Sequence, residues 1–287
     1  MHLSAKKNKL GGKALFYLSI ILGILAATAS QPAARENFIE VLQHGRIDWT
    51  NGFIEASGVG RPPPNPINAA HARAAAERDA GTEARSNLIA LVKSIRVDSK
   101  TLAADHMAGK RIPDEILEIL VRDARTVDLS YGPDDRVRVR VSIRLYGPLA
   151  ERLLPRDISV IPTVMQPQDP SQKAEPFSGL LVDCRGVPLK PCLVPLIVDE
   201  EGEIVYGPAF ASRDHAVERG MASYARNIAS GESHPKIGPN PLSVKGIRTV
   251  EAGPCDILIS NADAAKIRRL ASNLNFLHQC RVLLVTD

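Results

Sequence analysis

The sequence has few aromatic residues and, outside its first thirty positions, no excess of charge. Aromatic side chains make up 4% of the 287 residues, which leaves little material for the stacking platforms of nucleic-acid-binding proteins. The chain contains 36 basic and 32 acidic residues. Residues 1–29 hold four lysines and no acid, so the remainder carries 32 residues of each sign. Because a nucleic-acid-binding surface needs many cations to neutralise phosphates, we expect no nucleic-acid partner.

Familiar catalytic and metal-binding motifs are also missing from the sequence. It has no H-E-x-x-H zinc motif, no G-x-S-x-G nucleophile elbow and no P-loop. Gly58-x-Gly60 superficially resembles a phosphate-binding turn, but the prolines at 62–64 remove the N–H groups that would bind a phosphate. We therefore expect no catalytic residues, no metal site and no cofactor.

The first thirty residues have the three-part pattern of a secretory signal. Four lysines precede an uncharged run over 14–27, which ends at the small residues Ala27-Thr28-Ala29. The run is shorter than the roughly 20 residues that span a bilayer. We expect residues 1–29 to be a signal peptide, with an uncleaved membrane anchor as the alternative. The expected location is the periplasm or the cell envelope.

The four cysteines lie in the last third of the chain: Cys184, Cys192, Cys255 and Cys280. An even number in an exported chain predicts disulfides. If the last two strands are parallel neighbours, Cys255 and Cys280 begin them at the same end of the sheet, about 4.8 Å apart. We therefore expect a Cys255–Cys280 bond, and a Cys184–Cys192 bond across a proline-containing loop. Four buried thiols are the alternative. No cysteine follows the leader, so no lipid anchor is expected.

The fold class predicted is α/β, of the α+β kind, and residues 30–154 are expected to form an N-terminal module. It would combine a mixed sheet with one long packed helix. The segment 35–45 indicates a short helix and 47–60 a strand. A run rich in Ala, Arg and Glu predicts a helix that begins at Pro66, after an Asn65 cap, and ends near Ser94.

Alternation of apolar and polar residues predicts a hairpin on either side of a turn at 132–135. We expect Leu129 to pair with Val139 on the buried face. On the wet face the same register places Asp128 opposite Arg140. The arginines of the second strand then form an exposed ladder, which is either a solvated face or a surface for a protein partner. The candidate partner surface comprises Arg138, Arg140, Arg144, Arg185 and Lys190.

The second part of the chain has shorter elements. Residues 155–176 are rich in proline and glutamine, which predicts a linker or long surface loop. Residues 177–287 are expected to form a second, smaller α/β domain. It would contain a helix from Ser212 to about Ile228. It would end in a strand–helix–strand unit over 256–286, whose two strands suit parallel pairing.

Several runs resemble a bacterial envelope family. Ala56-Ser57-Gly58-Val59-Gly60 and the helix over 69–88 resemble a module of small outer-membrane lipoproteins. The same module is similar to the N-terminal domain of flagellar assembly protein T. The runs 179–183, 199–207 and 259–263 resemble the C-terminal half of longer members. The resemblance implies an α/β envelope module without known catalysis, used in assembly or attachment. It supplies no catalytic residues.

The leading functional hypothesis is a non-enzymatic structural or assembly protein that acts by contact with other envelope proteins. The first alternative is a secreted enzyme, or an enzyme accessory domain, whose site would need Asp183, Asp199 or His215 in one cleft. The second alternative is a module that binds cell-wall or lipid components.

Overall fold

The computed structural model describes most of the chain between Glu36 and Asp287. The described ranges are 36–109, 113–158, 177–232, 234–251, 253–269 and 271–287. The predicted signal sequence, residues 1–29, and most of the predicted loop over 155–176 lie outside them.

The first part of the described chain forms an antiparallel sheet and the helices that accompany it. The elements are β1 (Ile39–Leu42), β2 (Gly45–Asp48), β3 (Phe53–Gly60), α1 (Ala69–Ser94), α2 (Ala103–Ala108), α3 (Asp114–Arg122), β4 (Arg125–Tyr131), β5 (Val137–Arg144) and α4 (Pro148–Leu153). The strand order is β1-β2-β3-β5-β4, and every neighbouring pair is antiparallel. The long helix α1 packs on β3 and β5.

The predicted hairpin is confirmed in its register. β4 and β5 are antiparallel, with Leu129 opposite Val139 and Asp128 opposite Arg140. Nη2 of Arg140 lies 3.8 Å from Oδ2 of Asp128. Local alternation was enough here, because a short turn between two neighbouring strands leaves little freedom in their pairing.

The helix expected over 35–45 is wrong, because β1 and β2 form a hairpin in its place. The backbone N–H of Trp49 donates to the carbonyl of Phe38 at 3.0 Å. The hairpin lets both rings pack against Tyr224, with centroid distances of 5.7 Å for Trp49 and 6.1 Å for Phe38. Burial of this kind outweighs the weak helical preference of a short segment.

The cap of α1 lies three residues later than expected. Asn68, not Asn65, has the extended backbone of an N-cap, and its side chain accepts the N–H of His71 at 2.8 Å. Asn68 directly precedes the alanine run that packs on β3, so this packing decides where the helix begins. The expected end at Ser94 is confirmed.

α1 approaches β3 closely because both surfaces lack side-chain volume. Ala76, Ala80 and Ala84 are fully buried on the helix. A methyl group added to Gly58 would overlap the carbonyl oxygen of Ala80, and one added to Gly60 would overlap that of Ala76. Glycine is therefore needed at both positions of the strand, and the Gly58-x-Gly60 pattern has a packing role.

The second part of the described chain forms a larger, mixed sheet. The elements are β6 (Gly179–Asp183), β7 (Ile197–Val198), β8 (Ile204–Tyr206), α5 (Arg213–Arg219), β9 (Ser223–Ala225), α6 (Ile228–Glu232), β10 (Pro241–Val250), β11 (Gly253–Ile259), α7 (Asn261–Arg269), α8 (Ala271–His278) and β12 (Val282–Val285). The strand order is β8-β7-β11-β10-β6-β12-β9. The α+β fold class is confirmed.

The parallel pairing expected for the last two strands is wrong. β12 is parallel to β6 and β9, and β6 is parallel to β10. β11 is antiparallel to β10. β11 and β12 are therefore separated by two strands and run in opposite directions. β10 was not predicted from the sequence. It lies between β11 and β6 and occupies the place beside β11 that the prediction gave to β12.

The helix expected from Ser212 to Ile228 ends early, at Arg219. Gly220 has a positive φ of 77°, which terminates the helix, and β9 follows at Ser223. The ammonium group of Lys236 donates to the carbonyls of Arg219 and Gly220, each at 2.9 Å. The last carbonyls of α5 are thus bonded to a side chain from another segment.

The two sheets share one buried core. Apolar side chains from β3, α1 and β5 join those of β6, β11 and β12 in a continuous cluster, and the described residues form one compact unit. Tyr224 in β9 lies at the centre of the contact. Its hydroxyl donates to the carbonyl of Cys192 and accepts the N–H of the same residue, both at 2.9 Å. Thr50 donates to the Tyr224 carbonyl at 2.7 Å.

The glycine–alanine contact predicts opposite effects for one substitution at different sites. Gly58→Ala and Gly60→Ala should each lower the free energy of unfolding by about 1–3 kcal/mol, because the backbones must move apart. Gly81→Ala should raise it by about 0.5–1 kcal/mol, because Gly81 lies inside α1 and its added methyl meets only the flexible Arg85 side chain. Urea unfolding measured by circular dichroism gives all three values. Equal effects at the three sites would contradict the close packing.

The Tyr224 hydroxyl predicts a second stability difference. Tyr224→Phe should cost about 1–3 kcal/mol, because it leaves the buried amide and carbonyl of Cys192 without this partner. Tyr131→Phe is the matched control: Tyr131 is 55% exposed and bonds to Glu77 at the surface, so its loss should cost less than about 0.5 kcal/mol. Thermal unfolding followed by Trp49 fluorescence measures both. A Tyr224→Phe variant as stable as the control variant would refute the role given to the hydroxyl.

Candidate functional site

The cysteines form one disulfide in the structure, and it is not one of the two expected. Cys192 is bonded to Cys255, with 6.1 Å between their Cα atoms. Cys184 and Cys280 are free and buried. The expected Cys255–Cys280 bond fails because β11 and β12 are three strand spacings apart, about 14 Å, and begin at opposite ends of the sheet. The expected Cys184–Cys192 bond fails because Cys255 takes Cys192.

The two free thiols are enclosed by apolar packing. Burial raises the pKa of the Cys184 thiol to about 12. Burial also raises the pKa of the Cys280 thiol. Thiolate is the reactive form of cysteine, so both side chains are held in their unreactive form at neutral pH. They act as core residues rather than as nucleophiles.

The five residues of the candidate partner surface lie in three separate places. Arg138, Arg140 and Arg144 follow one another along the outer face of β5, as expected. Arg185 lies at the end of β6 and forms two bonds of 2.8 Å with the carboxylate of Asp183; this hydrogen bonding lowers the pKa of Asp183. Lys190 lies in the loop before Cys192. The sequence therefore identified one connected group of three and two isolated residues.

The outer face of the first sheet combines arginine with exposed apolar side chains. Arg138 pairs across the strands with Val59, and Arg144 pairs with Phe53. Val59 is 41% exposed and Phe53 39%. Among the ion pairs of the described residues, Arg140 has a carboxylate partner, whereas Arg138 and Arg144 have none. Two cations with no acidic partner thus lie beside accessible apolar groups.

β4 is an edge strand with no buried residue. Its seven positions are exposed or half-buried. Leu129, which the alternation placed on a buried face, is 44% exposed, whereas its partner Val139 is 5% exposed. Leu129 is more exposed because α1 packs on β3 and β5 and does not cover β4, which lies at the edge of the sheet. The exposed apolar residues of the strand are Val127, Leu129 and Tyr131.

We use the name edge surface for β4 together with the arginines beside it. It comprises Val127, Leu129 and Tyr131 on β4 and Arg138, Arg140 and Arg144 on β5. Leu129 and Tyr131 lie opposite the buried Val139 and Val137, on the face toward α1, and the arginines lie on the other face of the sheet. A free strand edge offers unpaired backbone N–H and C=O groups, and natural sheets usually protect such an edge. The described residues of β4 carry a bulge near Thr126 and two charged side chains, Arg125 and Asp128, which protect the edge in part. The sequence signal for this surface was the alternation, which predicts two faces but does not show that the strand is at an edge.

A cavity of about 970 Å³ lies in the described part of the chain. It lies between the loop 98–101, the segment 151–157 and the start of β11. Asp256 at its wall is 8% exposed, and burial raises the pKa of its carboxyl group. Its Oδ1 accepts the N–H of Leu196 at 3.1 Å, and Ser99 also hydrogen-bonds to it. These groups fasten the loop 98–101 to β11.

The residues proposed for an enzymatic site do not meet. Asp183 ends β6 and Asp199 follows β7. These strands are antiparallel within the sheet, so the two carboxylates lie at opposite ends of it. His215 lies on α5, with its ring 6.3 Å from that of His278. The structure brings no cleft of this composition together in the described residues. It also shows no group of three or more potential metal ligands there.

The acids of the turn at 199–201 accept hydrogen bonds from the turn's own backbone and from side chains of α7. Oδ1 of Asp199 accepts the N–H groups of Glu201 and Glu203, and Oδ2 accepts from Arg268 at 2.7 Å. The side-chain amide of Asn261 donates a hydrogen bond to the carboxylate of Glu201. These contacts hold the turn between β7 and β8, which pair antiparallel.

Residues 179–287 match a protein-family model described as Treponema pallidum Tp0624, second domain. The match begins at the first residue of β6 and ends at the last residue of the chain, so it covers the whole second sheet. This part of the chain is similar to a bacterial domain. The first sheet and α1 lie outside the matched range. No curated protein matches the chain.

Two further observations concern location. The Cys192–Cys255 disulfide indicates an oxidising, extracytoplasmic compartment, since such bonds are rare in the reducing cytosol. None of the helices in the described ranges is long and apolar enough to cross a lipid bilayer.

The disulfide predicts a defined thiol count and a stability loss. Unreduced, denatured protein should contain two free thiols, and the native protein should react slowly with a thiol reagent because Cys184 and Cys280 are buried. The double variant Cys192→Ala/Cys255→Ala should lose about 2–5 kcal/mol of unfolding free energy. Dithiothreitol should destabilise the wild type but leave this variant unchanged. Four thiols in the denatured wild type would contradict the bond.

Proposed function

We propose that this protein is exported and acts in the bacterial cell envelope, without catalysis, through contacts with other proteins. The signal pattern of residues 1–29 supports export. The Cys192–Cys255 bond supports a destination outside the cytosol. The match of residues 179–287 supports a bacterial source for the second sheet.

The resemblance of residues 56–60 and 69–88 to envelope lipoproteins and to flagellar assembly protein T supports a role in assembly or attachment. These residues form β3 and α1, whose contact depends on Gly58 and Gly60. A module built on such a contact is a rigid support for the strands beside it. We propose a soluble or singly anchored envelope protein rather than a lipoprotein, because the leader is not followed by a cysteine.

The edge surface is the proposed contact site, and the exposure of β4 is the observation that carries it. A seven-residue strand with no buried position presents backbone hydrogen-bonding groups to any strand that can align with it. Val127, Leu129 and Tyr131 are each at least 44% exposed. Apolar residues grouped in this way on a soluble surface are typical of protein contact sites.

The arginines of the edge surface define what the partner should offer. Arg138 and Arg144 have no carboxylate partner among the ion pairs of the described residues. A partner protein that adds an extended strand and carries acidic side chains on it would supply the missing carboxylates. Arginine is favoured at protein interfaces because its guanidinium group forms several hydrogen bonds and also packs on apolar atoms.

Site-specific photo-crosslinking in envelope preparations tests this proposal. A photo-reactive residue placed at Leu129 should yield discrete crosslinked bands of higher mass. The matched control is Ile119 on α3, an apolar residue of similar exposure, 50% against 44%, outside the edge surface. It should yield few or none.

The bands should also depend on the arginines. Arg138→Gln with Arg144→Gln should weaken them about threefold or more, since each lost interfacial charge pair costs on the order of 1 kcal/mol. Equal crosslinking at Leu129 and Ile119 would refute the contact site. Fractionation of the mature protein with the cytosol would refute the proposed location.

A further inference from the structure

A groove of about 400 Å³ runs beside β1, at the opposite edge of the first sheet from β4. Four consecutive residues, Phe38 to Val41, line one wall. Successive side chains of a strand point to opposite faces of its sheet. A groove that contacts four in succession therefore follows the edge of the strand. The residues 189–191 form the facing wall.

The edge of β1 that borders the groove is free. Among the described strands, β1 pairs with β2 alone. Val41 is 78% exposed, the largest exposure of any apolar residue in the strand. Four residues of extended chain are about 13 Å long. The groove thus offers a short line of backbone donors and acceptors to an added strand.

Three cationic side chains from three segments converge on the groove: Arg96, Lys190 and Arg226. Arg96 follows α1, Lys190 lies in the facing loop and Arg226 follows β9. Within the described residues, none of the three belongs to an ion pair. The acid in the groove wall is Glu40, whose carboxylate accepts the indole N–H of Trp49 at 2.8 Å. The groove is therefore positively charged.

The fold fixes the backbone that carries two of these cations and the ring that lies beside the third. The backbone N–H of Lys190 donates to Pro254 at 2.8 Å, and the carbonyl of Arg96 accepts the N–H of Leu193 at 3.1 Å. The guanidinium carbon of Arg226 lies 4.8 Å from the centre of the Phe38 ring, a cation–π contact. Three cations beside a single carboxylate, Glu40, leave an excess of positive charge, and like charges repel one another. Their arrangement around a groove is typical of a site that receives an anion.

We propose that this groove binds an extended acidic peptide segment of a partner protein, which adds to β1 as a further strand. Backbone hydrogen bonds to the β1 edge would supply affinity for any extended chain. The three cations would select one whose side chains are carboxylates. The groove lies at the other edge of the sheet from the edge surface, so this inference goes beyond the proposed function and does not depend on it.

Fluorescence anisotropy with synthetic peptides tests the chemistry of the occupant. The probe is a labelled, end-blocked decapeptide that alternates Glu and Thr, titrated with the full chain. Two peptides of the same length serve as comparisons: one that alternates Lys and Thr, and the Glu–Thr peptide with an N-methyl group on every amide. The probe should bind at least about tenfold more tightly than either, because one lacks the charge and the other lacks the backbone donors.

Variants of the groove locate the binding. Lys190→Gln and Arg226→Gln should each weaken the probe about three- to tenfold. Both residues are exposed, so folding should be retained, and thermal unfolding checks this. Arg269→Gln, an exposed cation on α7 outside both proposed surfaces, is the matched control and should bind as the wild type does.

Three results would overturn the inference. If the N-methylated peptide binds as well as the probe, strand addition is wrong. If the groove variants bind as well as the Arg269→Gln control, the location is wrong. If the Lys–Thr peptide binds as tightly as the probe, the occupant is not selected by its acidic side chains and the inference is wrong. Failure of the photo-crosslinking at Leu129 would leave these measurements unaffected.

Discussion

The burial of Tyr224 is the contact on which the joining of the two sheets depends. Its ring packs against Trp49 and Phe38 of the first sheet, and its hydroxyl bonds to both backbone groups of Cys192. Cys192 is in turn bonded to Cys255, so one side chain connects the first sheet, β9 and the disulfide loop. Since a buried hydroxyl must be satisfied, this arrangement leaves the segment around Cys192 little freedom, and that segment carries the facing wall of the basic groove.

The surfaces proposed for function follow from the way α1 covers the first sheet. Because Gly58 and Gly60 let the helix approach β3 closely, one helix can seal the centre of the sheet. A single helix about 10 Å wide does not reach both outer strands of a five-stranded sheet, which is about 19 Å across. β1 and β4 are the outermost strands of the sheet and keep free edges. One edge lies among apolar residues and arginines, and the other borders a groove with three cations.

Features that depend on neighbouring residues could be predicted from the sequence, and features that depend on strand order could not. The register of β4 with β5 and the small-residue contact of α1 follow from local patterns. The disulfide does not follow from a local pattern. Cys255 lies beside Cys192 because β10 separates β11 from β6 in the sheet, and no pattern in the sequence marked β10 as a strand. The segment 35–45 was misassigned for a related reason: its partners Trp49 and Tyr224 are decided by tertiary packing rather than by its own residues.

The two candidate sites differ in how far sequence alone could reach them. The edge surface takes its arginines from consecutive positions of one strand, so alternation placed Arg138, Arg140 and Arg144 together. The basic groove takes its cations from three segments that are far apart in the chain. Lys190 was identified, but nothing in the sequence connects it with Arg96 or Arg226. What unites them is β9 reaching the start of β1, where Asn37 bridges to Ala225. A site of this kind is a property of the assembled fold. It is recognised in the structure by an excess of cationic side chains that belong to no ion pair.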